Sequence, residues 1–189
     1  MGTVEDTPFS RLVHGRKSIR RFSDRPVERP VVERCLQAAR VAPSAENSQP
    51  WRFLVIDDPD IKERFCREVF SGIYAVSKFA ALAPVLVLIL ARKSIVAHRI
   101  GLRVQDIPFH YIDIGIAGEH LVLQAEELGV GTCWMGWFSV RRARRFFKIP
   151  SKYKIMALIP MGYYDKKPSR ERKRKSLKEI AWFNRIGKG

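Results

Sequence analysis

Two arginines and a serine alternate near the start of the chain, in the segment 16–22, RKSIRRF. In an extended backbone successive side chains point to opposite faces, so Arg16, Ser18 and Arg20 would share one face. Two guanidinium groups and a hydroxyl on one face can grip a single anionic group. The alternative is a solvated basic turn, which is the commoner outcome for an isolated cluster of charge. The segment by itself therefore predicts either an anion site or an exposed basic turn.

A polar loop, segment 43–51 (PSAENSQPW), separates a predicted helix from a predicted strand. Its side chains include Ser44, Asn47 and Gln49. Carboxamides supply both donors and acceptors, which the edge of a heteroaromatic ring with alternating carbonyl and N–H groups requires. The two prolines would keep the backbone rigid. The loop is thus a candidate binding segment, and the alternative is a polar turn that caps the strand.

A third candidate is segment 131–138, GTCWMGWF, in which two glycines bracket Cys133, Trp134 and Met135. Glycine allows a ligand to approach the backbone closely. The tryptophans would then flank a planar ring, or they are packing residues of a core strand. The sequence suggests no partner base near Cys133, so we interpret it as a small buried hydrophobic residue and not as a nucleophile.

The net charge of +16 invites the interpretation that the protein binds a polyanion. Most of the excess lies in two segments: 141–154 has seven basic residues and no acid, and 166–178 has eight basic residues and one acid. Neither segment interleaves aromatic residues as a single-strand binder does. Binding to nucleic acid or another polyanion therefore stays open as an alternative without a motif to support it.

The length of 189 residues and the hydrophobic share of 46% fit one globular domain with a substantial core. Three widely spaced cysteines exclude a complete disulfide framework and suit a reducing cytoplasm, where we expect the protein to reside. The absence of CxxC and HxxxH pairs gives no support to a metal site. The first ten residues lack the apolar run of a signal peptide, and the apolar stretch 79–91 is too short to span a bilayer, so we expect no membrane insertion.

The hydrophobic periodicity predicts five helices and four strands. The helices are expected at 8–14, 30–41, 59–70, 108–128 and 140–147. The strands are expected at 52–57, 85–91, 131–136 (a short strand or a turn) and 155–161. In 108–128, Ile114, Ala117 and Leu121 recur at helical intervals, so this helix should be buried in the core or against another subunit. The mixture predicts an α+β fold with one mixed sheet and helices packed around it.

The three candidate segments, together with the basic segment 161–180 and in this order and spacing, resemble the nitroreductase family over nearly the whole chain. The resemblance implies a single FMN-binding domain, 1–189, with a central mixed, mostly antiparallel sheet surrounded by helices. It further implies a homodimer with interlocked termini and a basic C-terminal extension at about 165–189. The activity implied is FMN-dependent: NADH or NADPH reduces the flavin, and a planar, electron-poor acceptor such as a nitroaromatic or a quinone reoxidises it by a ping-pong mechanism.

The same resemblance assigns residues to the parts of FMN. The phosphate and ribityl chain would be held by Arg16, Lys17, Ser18 and Arg20, and by Arg172, Arg174 and Lys175 near the C-terminus. The flavin of the partner subunit would be reached by Pro43, Ser44, Ala45 and Asn47, with Gln49 either joining them or only bracing the loop. One face of the isoalloxazine ring would be covered by Cys133, Trp134, Met135 and Gly136. The backbone N–H near Met135 or Gly136 would reach flavin N5, which carries the chemistry, so no catalytic side chain is assigned. Arg20 would also stabilise negative charge near N1 of the reduced ring.

Two other interpretations remain open at this point. A relative with the same fold could use reduced flavin differently, as a reductive dehalogenase or as the flavin-cleaving enzyme of cobalamin ligand synthesis. The fold could also serve a non-enzymatic, polyanion-binding protein. No G-x-G-x-x-G fingerprint supports a separate dinucleotide domain. The segment 92–107 is expected to shape the substrate pocket.

Overall fold

The computed structural model describes residues 7–92, 108–169 and 173–187. The helices are α1 (Pro8–Gly15), α2 (Arg29–Arg40), α3 (Pro59–Val69), α4 (Phe109–Glu127), α5 (Val140–Phe146) and α6 (Leu177–Ile180). The strands are β1 (Trp51–Ile56), β2 (Val85–Arg92), β3 (Gly131–Thr132) and β4 (Tyr153–Gly162). Two 3₁₀ segments, Ala45–Asn47 and Gly72–Leu82, precede β1 and β2 respectively.

The four strands form one sheet in the order β1-β2-β4-β3, and every neighbouring pair is antiparallel. Trp51 of β1 pairs with Ala91 of β2, which sets the register of that edge. We expected a mixed, mostly antiparallel sheet, and the pairs of named strands in the described residues are all antiparallel. The parallel pairing is an isolated bridge that joins Ser18, which lies in no named strand, to Thr132 of β3.

The central strand β2 separates two hydrophobic cores. Side chains alternate across a strand, so Val85, Val87 and Ile89 pack with α2 and α4 on one face of the sheet. Leu86 and Leu88 pack with α3 and α5 on the other face. Helices thus cover both faces, and this explains why residues 85–91 read as one apolar run instead of alternating with polar residues.

The helix α4 lies between α2 and the sheet. Its predicted core positions Ile114, Ala117 and Leu121 are each at most 3% exposed. Phe109 and Ile112, which widen its apolar surface, are 43% and 49% exposed. The helix therefore supplies the core with one face and presents a second apolar face at the surface of the single chain.

The predicted elements are present with ends that differ by at most two residues, except in segment 131–136, of which only Gly131–Thr132 is strand. Local capping explains several of these starts, as at α3, where the Asp58 carboxylate accepts the Ile61 N–H at 2.8 Å. The 3₁₀ segment Gly72–Leu82 and the short α6 were not predicted. Of segment 92–107, only Arg92 belongs to the described residues. No helix in the described ranges is long and apolar enough to cross a membrane.

Candidate functional site

The segments 16–20 and 131–135 lie side by side, although they are far apart in the sequence. Ser18 and Thr132 form a parallel bridge, and the Ile19 N–H donates to the Thr132 carbonyl at 2.9 Å. Ile19 is 1% exposed, whereas Arg20 is exposed, as expected for alternating side chains. A Cβ on Gly131 would lie 2.6 Å from Ile19 Cγ1, so this close approach needs a glycine. Two of the predicted binding segments are thereby brought together.

The backbone of Met135 is engaged in the sheet. Its N–H donates to the Leu158 carbonyl at 3.0 Å, and its carbonyl accepts the Leu158 N–H at 2.9 Å. Gly136 is exposed, and a Cβ built on it would have no heavy atom within 4 Å. Of the two backbone donors considered from the sequence, Met135 is therefore already paired, and Gly136 is the one that a ligand can approach.

Glu119 of α4 links the two segments, and sequence reasoning missed it. Its Oε1 lies 3.6 Å from Arg16 Nε, and its Oε2 accepts the indole N–H of Trp134 at 2.9 Å. The Trp134 ring also packs over Gly118, where a Cβ would lie 2.2 Å from Cη2. The available signal was a glycine followed by an acid, in a helix that carries other acids and another glycine, and this signal does not by itself identify their partners.

The loop 43–49 is strained and internally braced. Glu46, Asn47 and Gln49 have φ values of 54°, 52° and 44°, in the left-handed region that residues other than glycine rarely adopt. Each such residue costs on the order of 1–3 kcal/mol, a cost that surrounding contacts must offset. The Gln49 N–H donates to Ser44 Oγ at 3.0 Å, and the Gln49 amide donates to Asn47 Oδ1 at 3.0 Å. Gln49 therefore braces the loop, one of the two roles considered for it.

The same loop is anchored on α4 by the buried carboxylate of Asp113, which accepts the Ala45 N–H at 3.1 Å. Asp113 precedes Glu119 by six residues, about 9 Å along the axis and about 120° around it. The loop thus docks on a different side of α4 from Arg16 and Trp134. Pro43 is exposed. Within one chain, Pro43 and its neighbours do not lie in the same cluster as segment 16–20.

The chain after β4 returns to the first candidate segment. The Ser23 N–H donates to the Tyr163 carbonyl at 2.8 Å, and Lys167 Nζ donates to the Gly15 carbonyl at 3.3 Å and pairs with Glu126. The predicted residue Arg172 lies outside the described residues. Arg174 and Lys175 are exposed and contact no part of the described chain through hydrogen bonds or ion pairs. Lys167, which was not singled out, is the basic residue that reaches segment 15–23.

The basic segment 141–154 has a structural role in the single chain. Arg142 donates to the Glu68 carbonyl at 3.0 Å and to the Ser71 hydroxyl. Arg144 donates to the carbonyls of Ile149, Pro150 and Tyr153 at 2.7–3.0 Å. Guanidinium groups that satisfy the last carbonyls of a helix and the following turn stabilise that turn. Part of the positive charge is therefore committed to backbone contacts and is not free to form a polyanion-binding surface.

The cysteines are buried, as predicted for Cys133, which is 3% exposed. Burial raises the pKa of the Cys35 and Cys66 thiols to about 11. These two thiols are protonated at neutral pH and behave as hydrophobic core residues. The chemistry of the site therefore rests on basic side chains, hydroxyls, amides and backbone N–H groups, a donor set suited to an anionic group attached to a polar ring system.

Comparison with known proteins finds similar sequences over most of the chain. The nitroreductase family matches at residues 13–81 and 75–163. A putative NADH dehydrogenase/NAD(P)H nitroreductase of Methanothermobacter thermautotrophicus is 29% identical, over 88% of this chain and 83% of that protein. Iodotyrosine deiodinase 1 of Rattus norvegicus is 28% identical, over 91% of this chain and 68% of that protein.

Among solved structures, an FMN-dependent nitroreductase from Clostridium difficile R20291 superposes with a TM-score of 0.72 at 26% identity, covering 93% of this chain and 98% of that chain. The sequence match spans both paired segments, the loop 43–49 and all four strands, and the structural likeness extends over the same fold. The chain therefore belongs to the nitroreductase family of flavin oxidoreductases.

Proposed function

We propose that this protein is an FMN-dependent NAD(P)H oxidoreductase that reduces planar, electron-poor acceptors, such as nitroaromatics or quinones, in a ping-pong cycle. The observation that carries the proposal is the pairing of segments 16–20 and 131–135 through the Ser18–Thr132 bridge. This pairing joins a basic, hydroxyl-bearing segment to a segment with an approachable backbone at Gly136. A nucleotide with a phosphate at one end and a flat ring at the other requires that combination.

The basic segment would hold the phosphate and ribityl chain through Arg16, Lys17, Ser18 and Arg20. Forked guanidiniums suit a phosphate because they donate two parallel hydrogen bonds. The Gly136 N–H would donate to flavin N5, since the Met135 N–H is already paired with Leu158. The exposed Arg20 guanidinium, 5.7 Å from the centre of the Phe79 ring, would stabilise negative charge on the reduced ring. When bound, FMN would supply the hydride-accepting centre that none of these side chains provides.

The remaining assigned residues would act across a homodimer. Loop 43–49 docks on a side of α4 away from Arg16, as expected if it serves the flavin of the other subunit. The segment after Lys173 leaves large apolar side chains 55–83% exposed: Leu177, Ile180, Trp182, Phe183 and Ile186. Such a surface is unfavourable in water, and a second copy would cover it together with Phe109 and Ile112 of α4. Arg172, Arg174 and Lys175 would then complete the phosphate site.

A visible absorption spectrum of the purified protein tests this proposal. We expect a yellow protein whose flavin absorbance is bleached by NADH or NADPH without oxygen and restored by nitrofurazone. The comparison of NADH with NADPH, at equal concentrations, also reveals which reductant is preferred. A colourless protein that fails to bind added FMN, and that instead binds nucleic acid with a steep salt dependence, would refute it.

Reductive deiodination is a second candidate, because deiodinases are among the relatives that match over most of this chain. In this reaction a carbon–iodine bond is replaced by a carbon–hydrogen bond, two electrons and a proton are consumed, and iodide is released. Iodide release from 3-iodotyrosine, measured with dithionite as the electron donor, tests it. Nitrofurazone turnover without iodide release would favour the first candidate.

A further inference from the structure

The Glu119 carboxylate contacts both segments of the proposed flavin site. Oε1 lies 3.6 Å from Arg16 Nε, and Oε2 accepts the Trp134 indole N–H at 2.9 Å. The Arg16 side chain is 20% exposed and the Glu119 side chain 42% exposed, so the ion pair is partly shielded from water. One carboxylate therefore couples the position of a basic side chain to that of an aromatic ring.

The contact with Arg16 is made at Nε. A guanidinium has five N–H donors, and four of them are on the two terminal nitrogens. A carboxylate at Nε restrains the long side chain while the fork of terminal nitrogens can still bind an anion bidentately. The negative charge of Glu119, however, disfavours the binding of a phosphate nearby. The restraint of Arg16 and the charge of Glu119 thus change the affinity for an anion in opposite directions, so variants can distinguish them.

The contact with Trp134 is reinforced by the preceding residue of α4. The indole ring occupies the space above Gly118, where a Cβ would come within 2.2 Å of it. Two consecutive residues therefore position the ring, Gly118 by leaving space and Glu119 by accepting the indole N–H. Because Trp134 lies two residues before Gly136, its position also bears on the backbone proposed to face the ligand.

We propose that Glu119 is a positioning residue of the FMN site, holding Arg16 and Trp134 in their binding geometry before FMN arrives. The inference rests on the proposed function. Its effect comes from two acceptor oxygens on a side chain that is long enough to reach both partners. A shorter acid, which lacks the reach, and an amide of equal length, which has one acceptor oxygen, should therefore both weaken binding.

The test is an FMN titration, followed by flavin fluorescence, of wild type, Glu119→Asp and Glu119→Gln. The amide of glutamine keeps the length but has one acceptor oxygen and turns its NH2 toward the second N–H donor, so we expect its dissociation constant to rise several-fold, although the charge that opposes the phosphate is removed. Aspartate keeps the charge but is shorter by one methylene and cannot reach both partners, so we expect binding weakened about tenfold, the loss of a charge-assisted hydrogen bond. Glu127→Asp and Glu127→Gln are matched controls expected to bind like wild type, because Glu127 is an exposed acid of the same helix whose hydrogen bond among the described residues comes from Gln124.

Thermal unfolding of each apoprotein shows whether the variants are folded before titration. Equal affinity of Glu119→Asp and wild type would overturn the inference, as would tighter binding by Glu119→Gln, which would make the carboxylate a competitor of the phosphate. Failure of wild type itself to bind FMN would instead refute the proposed function, so the two failures are distinguishable.

Discussion

Gly118 offers a sharp test of how Trp134 is held. In Gly118→Ala the new Cβ would lie 2.2 Å from Trp134 Cη2 and 2.6 Å from Cζ2, whereas ordinary contact begins near 3.4 Å. The ring must therefore move by about 1.2 Å, the difference between those two distances. Overpacking of this kind costs about 1–3 kcal/mol. Replacing glycine by alanine in a helix contributes about 0.5–1 kcal/mol in the opposite direction. We expect the free energy of unfolding to fall by about 1–2 kcal/mol.

Trp134→Phe provides the matched background, because phenylalanine lacks the second ring that carries Cη2 and Cζ2. In that background Gly118→Ala should stabilise by up to about 0.5–1 kcal/mol. The remaining close neighbour is Ile89 Cδ1, 3.1 Å from the new Cβ, and this end of a flexible side chain needs to shift by only a few tenths of an ångström. The coupling between the two positions is then about 2 kcal/mol, well above the error of a double-mutant cycle. Urea unfolding at one fixed protein concentration gives all four values. Stabilisation by Gly118→Ala in both backgrounds would show that Trp134 does not occupy the space above Gly118.

The other predictions concern the proposed phosphate site, the buried thiols and the chain after β4. Arg16→Ala combined with Arg174→Ala should weaken FMN retention with the fold intact, as followed by flavin release and circular dichroism; full retention would defeat the phosphate assignment. Burial raises the pKa of Cys35 and Cys66 to about 11 in the folded protein, from a value near 9 in the unfolded chain. The contribution of these thiols to the free energy of unfolding is therefore fully present below pH 9 and is lost as the pH rises through 11. Replacing both cysteines with alanine should flatten that decline in urea unfolding, and an unchanged slope would contradict the assignment. Lys167→Met should loosen the chain after β4 and speed its proteolysis, since the contacts to Gly15 and Glu126 are lost; an unchanged cleavage rate would show that those contacts do not hold it.

The polyanion alternative is weakened by the way the arginines are used. Arg142 donates to the Glu68 carbonyl at the end of α3, Arg144 donates to the turn that follows α5, and Arg145 pairs with Glu68 at 3.4 Å. Cations that bond to helix ends and turns in this way are less available to phosphates in solution. The exposed cations of segment 173–178 make no such contact with the described residues.

The order of helices and strands could be predicted because local rules determine it. Proline and an N-cap carboxylate begin α3 whatever surrounds them, and a helical repeat such as that of Ile114, Ala117 and Leu121 marks a buried face. The three candidate segments could also be singled out, since their residue types suggest contacts to an anionic group, a polar ring edge and a ring face, and their roles toward a ligand stay predictions. The segment Gly72–Leu82 was missed because a 3₁₀ run has no strong periodic signal.

The sequence by itself determined which hydrogen-bond donors the molecule has and in which order they follow along the chain. Only the tertiary structure decided which donors are already paired: the Met135 N–H donates to Leu158, and Gln49 donates within its own loop. It also revealed Glu119 and Lys167, whose partners are far away in the sequence. The physical reason is that a hydrogen bond depends on distances of about 3 Å between atoms, and such distances between remote residues are fixed by packing, which no local pattern encodes.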